Sequence, residues 1–387
     1  MRGDSRVERG PDAETAQAVL QNDFKRQWAV IGPAVRRAVE RVGASGWYIL
    51  GQEVEAFETT LANAWQVAYA VGTANGMDAI EVGLRCLKLR PGEKVLTTSL
   101  SAFATSLAII RAGGQPVFVD VDECGLIDLG QCHDILSRDR SIRVFVPVHL
   151  YGFPLDLIEL RKLRDEFGLR MVEDCAQAIG AKWHDIAVGT IGQVAATSFY
   201  PTKNLGALGD GGALLTNDEA IRDQARCLRN YGQSSLYHHT EAGLNSRLDE
   251  LHAAILRDAL LPHLVAWIEA RREVAQAYRS RIVNPLLRLP VLPDTANAAW
   301  HLFPVQVASH QRDQFRDCLI AQNIRTGIHY PRIIPDQAAM AELAHEVAFE
   351  PDRARRIALS EISLPIHPFL TEREIEKVVD ACNRWQP

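Results

Sequence analysis

The chain has 387 residues, with 42 Lys and Arg against 48 Asp and Glu and a formal net charge of -6. That length exceeds what one hydrophobic core usually supports, so two domains are expected, and mild acidity without a basic stripe excludes a nucleic-acid partner. Seven cysteines, none spaced as CxxC, exclude a disulfide framework or a zinc site and suit a reducing, cytoplasmic setting.

Residues 1–22 carry charges, a proline and no long apolar run, the composition of a weakly ordered extension and not of a secretory signal. The apolar stretches beyond them are strand-length, short of the ~20 residues a membrane span needs, so no membrane partner is expected. From about 65 to 216, short apolar runs alternate with amphipathic segments. Strands are predicted at 67–71, 94–98, 116–119, 143–148, 170–173, 194–198 and 212–216, which gives one mostly parallel, seven-stranded sheet covered by helices. Ligands of such sheets sit beyond the carboxyl ends of strands.

The first strand opens onto Gly72-Thr73-Ala74-Asn75-Gly76-Met77-Asp78 and then an amphipathic helix. Amides at that helix start, those of Gly76 and Met77, suit a phosphate; an ordinary strand-to-helix loop is the alternative. Asp174 follows the strand at 170–173, where it could cap the next helix or face a ligand. Gln177 lies one helical turn on. Ser198 ends a later strand, and five residues further Lys203 sits between Pro201 and Gly206 in a turn that exposes backbone. A solvated loop lysine is the alternative there, but burial would lower the amine's pKa and make it a nucleophile able to hold an aldehyde as a Schiff base.

Residues 250–280 read as a long helix with Leu251, Ala254, Leu256, Leu260, Leu264 and Ile268 near one face, suited to linking a domain at 23–260 to a smaller α+β domain at 261–387. The latter shows a strand at 302–307, a helix at 311–322 and a helical tail that begins with a capping box at Thr371 and Glu374.

Pyridoxal phosphate needs an amine, a carboxylate for its pyridine nitrogen, a phosphate cradle and a surface against its ring. Lys203, Asp174 and the turn at Gly76 answer the first three. The runs VEDCAQAIGA, SFYPTKNLGALGDGGALLTND, LRNYG, GLNSRLDELHAAIL and TGIHYP resemble the nucleotide-sugar aminotransferases of the DegT/StrS family, α/β pyridoxal-phosphate enzymes of fold type I, over residues 23–385. The resemblance implies that Lys203 bonds the cofactor, Asp174 pairs with its ring nitrogen and Gln177 meets its ring oxygen. Ser198 and the Gly76 and Met77 amides would hold its phosphate, and Asn245 would reach the phosphate of a neighbouring subunit in a homodimer with shared sites. It further implies a nucleotide-linked ketosugar acceptor, an amino-acid donor such as glutamate, and substrate contacts from Trp47, Tyr48, His301, His329 and Tyr330.

Three positions depart from the family pattern. Met77 stands where a threonine is usual, Ala102 where an aromatic is usual, and Pro335-Asp336-Gln337 where a histidine is usual. Phe103, next to Ala102, is the candidate left for the cofactor ring. A sugar dehydratase of the same fold carries histidine at the lysine position, and Lys203 argues against it. A ketocyclitol acceptor, or a non-catalytic regulator on the same scaffold, are the remaining alternatives.

Overall fold

The computed structural model describes residues 18–387. Seven strands fall within two residues of most of their expected ends: β1 (Tyr69–Thr73), β2 (Lys94–Thr98), β3 (Gln115–Val119), β4 (Val144–Val146), β5 (Arg170–Asp174), β6 (Val194–Ser198) and β7 (Gly212–Thr216). Their residues are almost all buried, as strands covered on both faces must be. They lie in the order β1-β7-β6-β5-β4-β2-β3. β7 runs antiparallel to both neighbours and the other pairs are parallel.

The C-terminal part adds β8 (Phe303–Gln306), β9 (Glu346–Val347) and β10 (Glu361–Leu364). β8 and β10 pair with each other, whereas β9 joins the free side of β3 in parallel and makes the sheet eight-stranded. All seven expected strands are present, and this eighth goes beyond them because a two-residue strand sets no period that a sequence can display.

Helices α1 (Phe24–Ser45) and α2 (Gln52–Trp65) precede the sheet, and α3 (Gly76–Cys86), α4 (Phe103–Arg111), α5 (Leu129–Arg138), α6 (Leu157–Phe167) and α7 (Glu219–Leu228) cover it. α8 (Glu250–Ile255) continues through a π-helical turn (Leu256–Leu260) and a 3-10 turn (Leu261–His263) into α9 (Leu264–Arg281). By length and composition alone the run Glu250–Arg281 could cross a membrane. Its apolar residues are spent on the core instead: Ala254, Leu256, Leu260, Leu264 and Ile268 pack with Ile31, Val35, Phe57 and Leu61 of α1 and α2. Beyond the break, Val274, Ala275 and Tyr278 join a second cluster that the C-terminal part shares with the other face of the sheet. The helix changes partners close to the domain boundary expected at 260.

Two features fix the ends of the chain. Val19 is fully buried and bridged to Ile324, its N–H donating to Asn323 and its carbonyl accepting from Arg325. The expected extension at 1–22 is therefore corrected for residues 18–22, which are held by backbone pairing and a buried side chain; residues 1–17 lie outside the described residues. After α10 (Arg312–Ala321) and α11 (Asp352–Ser360), the capping box forms at the start of α12 (Glu372–Arg384). Its Glu374 also accepts from both terminal nitrogens of Arg26, at 2.7 and 2.8 Å, tying α12 to α1.

Candidate active site

Asp174 ends β5 and Lys203 lies in the turn after β6, so two adjacent parallel strands deliver carboxylate and amine to the same edge of the sheet. Asp174 is buried; one oxygen accepts from Thr105 Oγ1 at 2.8 Å and the other from the Ala176 amide at 3.0 Å. Burial pushes this carboxyl up, while those bonds and the nearby Lys203 charge pull it down. Burial also brings the Lys203 amine down to about 8, against the opposing pull of Asp174. The turn itself is held by Lys203 N–H to the Tyr200 carbonyl and by Asn204 Nδ2 to the Ala299 carbonyl, each 2.8 Å.

The cradle forms where α3 begins. Asn75 caps that helix by accepting from the Asp78 amide at 2.8 Å, which leaves the Gly76 and Met77 amides without an acceptor among the described residues. Ser198 closes the other side: a Cβ on Gly76 would lie 2.6 Å from the Ser198 Cβ. Only glycine lets the helix start approach the hydroxyl so closely. The Met77 side chain packs into the apolar layer beside Val71 and Val82, so this residue offers the cradle its amide alone.

Opposite Lys203 stand His301, His329 and Tyr330. His301 is buried, with Nδ1 lacking a hydrogen-bond partner among the described residues, and burial followed by the charge of Lys203 keeps it neutral. His329 is held down to about 4 by the same two causes. The Tyr330 hydroxyl accepts from Gln177 Nε2 at 3.1 Å, and Gln177 Oε1 accepts from the Tyr151 amide at 2.6 Å. Gly152 makes this packing feasible: its φ is +86° and a Cβ there would lie 2.8 Å from the His301 nitrogen.

The other expected residues make no hydrogen bond to this group among the described residues. Phe103 opens α4, two residues before Thr105, and packs against Phe118, Ile334 and Met340. Asn245 is exposed and bridged to Asn230. Trp47 and Tyr48 are exposed too, on a loop whose end is held by Glu250. The buried Glu250 carboxylate accepts from the Gly51, Glu53 and Val54 amides at 2.9 Å, capping α2 from another helix.

These residues fit pyridoxal phosphate: a desolvated amine, a buried carboxylate, two free amides beside a serine, and an unpartnered imidazole nitrogen. The model of the DegT/DnrJ/EryC1/StrS aminotransferase family matches residues 30–383. The chain belongs to this family. The aminotransferase is 40% identical over 366 residues to the dTDP-3-amino-3,4,6-trideoxy-alpha-D-glucose transaminase of Streptomyces venezuelae, covering 94% of this chain and 95% of that one. It is 41% identical over 353 residues to the dTDP-3-amino-3,6-dideoxy-alpha-D-galactopyranose transaminase of Aneurinibacillus thermoaerophilus, covering 91% and 95%. The crystal structure of S. venezuelae DesV superposes with a TM-score of 0.90 at 39% identity, over 96% of this chain and 99% of that one. The family is pyridoxal-phosphate dependent, and its fold is the one observed.

Sequence reasoning overlooked several residues of the aminotransferase that support the site. Thr105, which donates to Asp174, stands three residues after Ala102. Glu173 is fully buried and accepts from His149 Nε2 and from the Gly189, Ile191 and Gly192 amides. Burial works against its charge, yet the His149 bond and the amides hold it below the ordinary carboxylate range. His149, Glu173 and Cys175 cluster tightly, but their donor atoms are committed: His149 Nδ1 accepts from the Leu155 amide, and burial keeps the Cys175 thiol protonated. The cluster braces the end of β5 on which Asp174 stands.

Proposed function

We propose that this aminotransferase moves an amino group from glutamate to the keto carbon of a nucleotide-linked 3-ketosugar, with dTDP as the nucleotide. The observation that carries the reading is the Lys203 amine, desolvated beside the buried Asp174. The dTDP-sugar transaminases about 40% identical over nearly the whole chain support the acceptor class.

Bound there, pyridoxal phosphate supplies the electron sink and carries the amino group between the two substrates. Lys203 holds the cofactor, and once released it moves the proton at the reacting carbon as a base whose pKa suits neutral pH. Asp174 keeps a positive charge on the ring nitrogen by electrostatics already in place, with Thr105 orienting its carboxylate. The amides of Gly76 and Met77 with Ser198 would hold the phosphate, and Gln177 would meet the ring oxygen. His301, His329, Tyr330, Trp47 and Tyr48 meet the sugar and its nucleotide.

The working form is a homodimer in which Asn245 reaches the partner's cradle. Supporting this, the segment between Asn230 and Asn245 carries Leu236 and Tyr237 at 77% and 85% exposure, apolar surface in need of a cover. Seven free thiols support a cytoplasmic setting. The test is a visible spectrum with pyridoxal phosphate before and after glutamate, then a panel of dTDP-linked and UDP-linked ketosugars. Conversion to pyridoxamine phosphate followed by amination of a dTDP-3-ketosugar is expected. A cofactor band that glutamate leaves unchanged would overturn the donor, and indifference to every ketosugar would overturn the acceptor.

A further inference from the structure

His329 is held at two points from one strand, and the two residues that hold it are hydrogen-bonded to each other. Its backbone N–H donates to Glu361 Oε2 at 2.6 Å, its Nδ1 lies 2.9 Å from Ser363 Oγ, and Ser363 Oγ is hydrogen-bonded to Glu361 Oε1. Glu361 and Ser363 stand two apart on β10, so both project to the same face, and both are fully buried. His329 Nε2 makes no hydrogen bond among the described residues, and the ring senses the charge of Lys203. We propose that Glu361 and Ser363 are positioning residues that set the tautomer of His329, so that the charge of the buried Glu361 carboxyl decides whether the free edge of the imidazole donates or accepts a hydrogen bond.

Hydrogen-bond polarity leaves two arrangements. Oε2 must accept in both, because the His329 backbone N–H points at it. With Glu361 ionised, Oε1 accepts from the Ser363 hydroxyl, Oγ then accepts from Nδ1–H, and Nε2 is a bare acceptor. With Glu361 neutral, the added proton sits on Oε1 and donates to Oγ, the hydroxyl proton turns to Nδ1, and the imidazole proton is on Nε2. One proton enters from solvent at Oε1, and the imidazole exchanges its own between nitrogens through solvent while staying neutral.

The surroundings permit both states. Burial pushes Glu361 up to about 8, opposed by the Ser363 and His329 bonds and by Arg312 at the start of α10. The other titratable groups near it, Tyr151 and Tyr330, are both pushed up by burial and stay uncharged there. His329 is held down to about 4 and so does not ionise in the same range. Below about pH 8 the free edge is a donor, suited to a phosphate or keto oxygen; above it the edge is an acceptor, suited to a sugar hydroxyl.

The effect on substrate rests on the function proposed above, but the tautomer does not. The holoenzyme labelled with 15N-histidine reports it directly, since protonated and bare ring nitrogens resonate far apart. In the wild-type protein the His329 proton is expected to pass from Nε2 to Nδ1 as pH rises through about 8. In Glu361→Gln the amide oxygen must face the His329 N–H, so its NH2 faces Ser363 and locks the Nε2–H form at every pH. Ser363→Ala, which removes the middle link, should abolish the transition, and Ser363→Thr should restore it. Wild-type His329 keeping one tautomer throughout, or Glu361→Gln following the wild-type transition, would overturn the proposal. In kinetics, the KM for ketosugar should change through the same pH in the wild-type enzyme and stay flat in Glu361→Gln. A tautomer that behaves as stated in an enzyme inactive on every ketosugar would sustain this inference and sink the substrate assignment.

Discussion

Gly76→Ala isolates the cradle from the rest of the site. The new Cβ would lie 2.6 Å from the Ser198 Cβ and 3.1 Å from its Cα, against an ordinary carbon contact of about 3.5–4.0 Å. Relief requires the start of α3 and the end of β6 to part by about 1 Å, since Ser198 Cα is backbone and cannot rotate away. A phosphate bound between them would then lose good geometry to the Gly76 and Met77 amides or to Ser198. Hydrogen bonds to a charged group contribute about 1.5–3 kcal/mol each. Losing one predicts cofactor affinity lower on the order of 10- to 10²-fold. The assay is titration of the apoenzyme with pyridoxal phosphate, followed by absorbance, with circular dichroism to confirm folding. Gly43→Ala serves as control, because nothing lies within 4 Å of a Cβ there and this helical position should gain about 0.5–1 kcal/mol. A folded Gly76→Ala protein that binds the cofactor as tightly as wild type would refute the phosphate assignment.

The remaining expectations concern charge. Capture of pyridoxal phosphate by the apoenzyme requires the neutral Lys203 amine, so its rate should climb with pH and level off above about 8; a rise continuing to the ordinary lysine range would place the amine in water. Asp174→Asn should bind cofactor but slow the half-reaction with glutamate by at least ~10²-fold, and equal rates would move the ring-nitrogen partner elsewhere. Glu173→Gln replaces an acceptor-only carboxylate that meets His149 and three amides, leaving at least one donor unmatched, and urea denaturation should show a loss of about 1–3 kcal/mol. Because the folded-state carboxyl of Glu173 lies below its ordinary value, its contribution is present above the unfolded pKa and disappears as pH falls through the folded one. Glu250→Gln should cost about 1–3 kcal/mol by unbalancing the cap on α2. It should also raise the KM for ketosugar through the Trp47 and Tyr48 loop; an unchanged KM would separate that loop from the substrate.

Much of the sheet was legible because buried strands are short apolar runs bounded by polar turns, and each turn carried its own chemistry: Gly76, Asp174, Lys203. What escaped was carried by single contacts between segments distant in sequence. Thr105 meets Asp174 across 69 positions and Glu250 caps α2 across about 200, and neither leaves a periodic trace. Phe103, offered to the cofactor ring by adjacency to Ala102, opens α4 and packs against Phe118, Ile334 and Met340, contacts from distant segments that its neighbours in sequence do not announce. Glu361 and Ser363 drew no reading at all, since a sequence does not show which loop lands on them.

β9 has a bearing on how the molecule may be cut. β3 would otherwise lie at the rim of the sheet with a row of unpaired peptide groups, the kind of rim that recruits strands from other chains. Glu346–Val347 covers it, and the amides of Ala348, next to β9, and of Ile334, earlier in the C-terminal part, donate to the carbonyls of Phe118 and Ser99. A fragment ending near residue 260 would bare that rim along with the apolar cluster the two parts share. Such a fragment should precipitate unless the C-terminal piece is supplied in trans, which makes co-expression of the two halves the practical route to a split form of this enzyme.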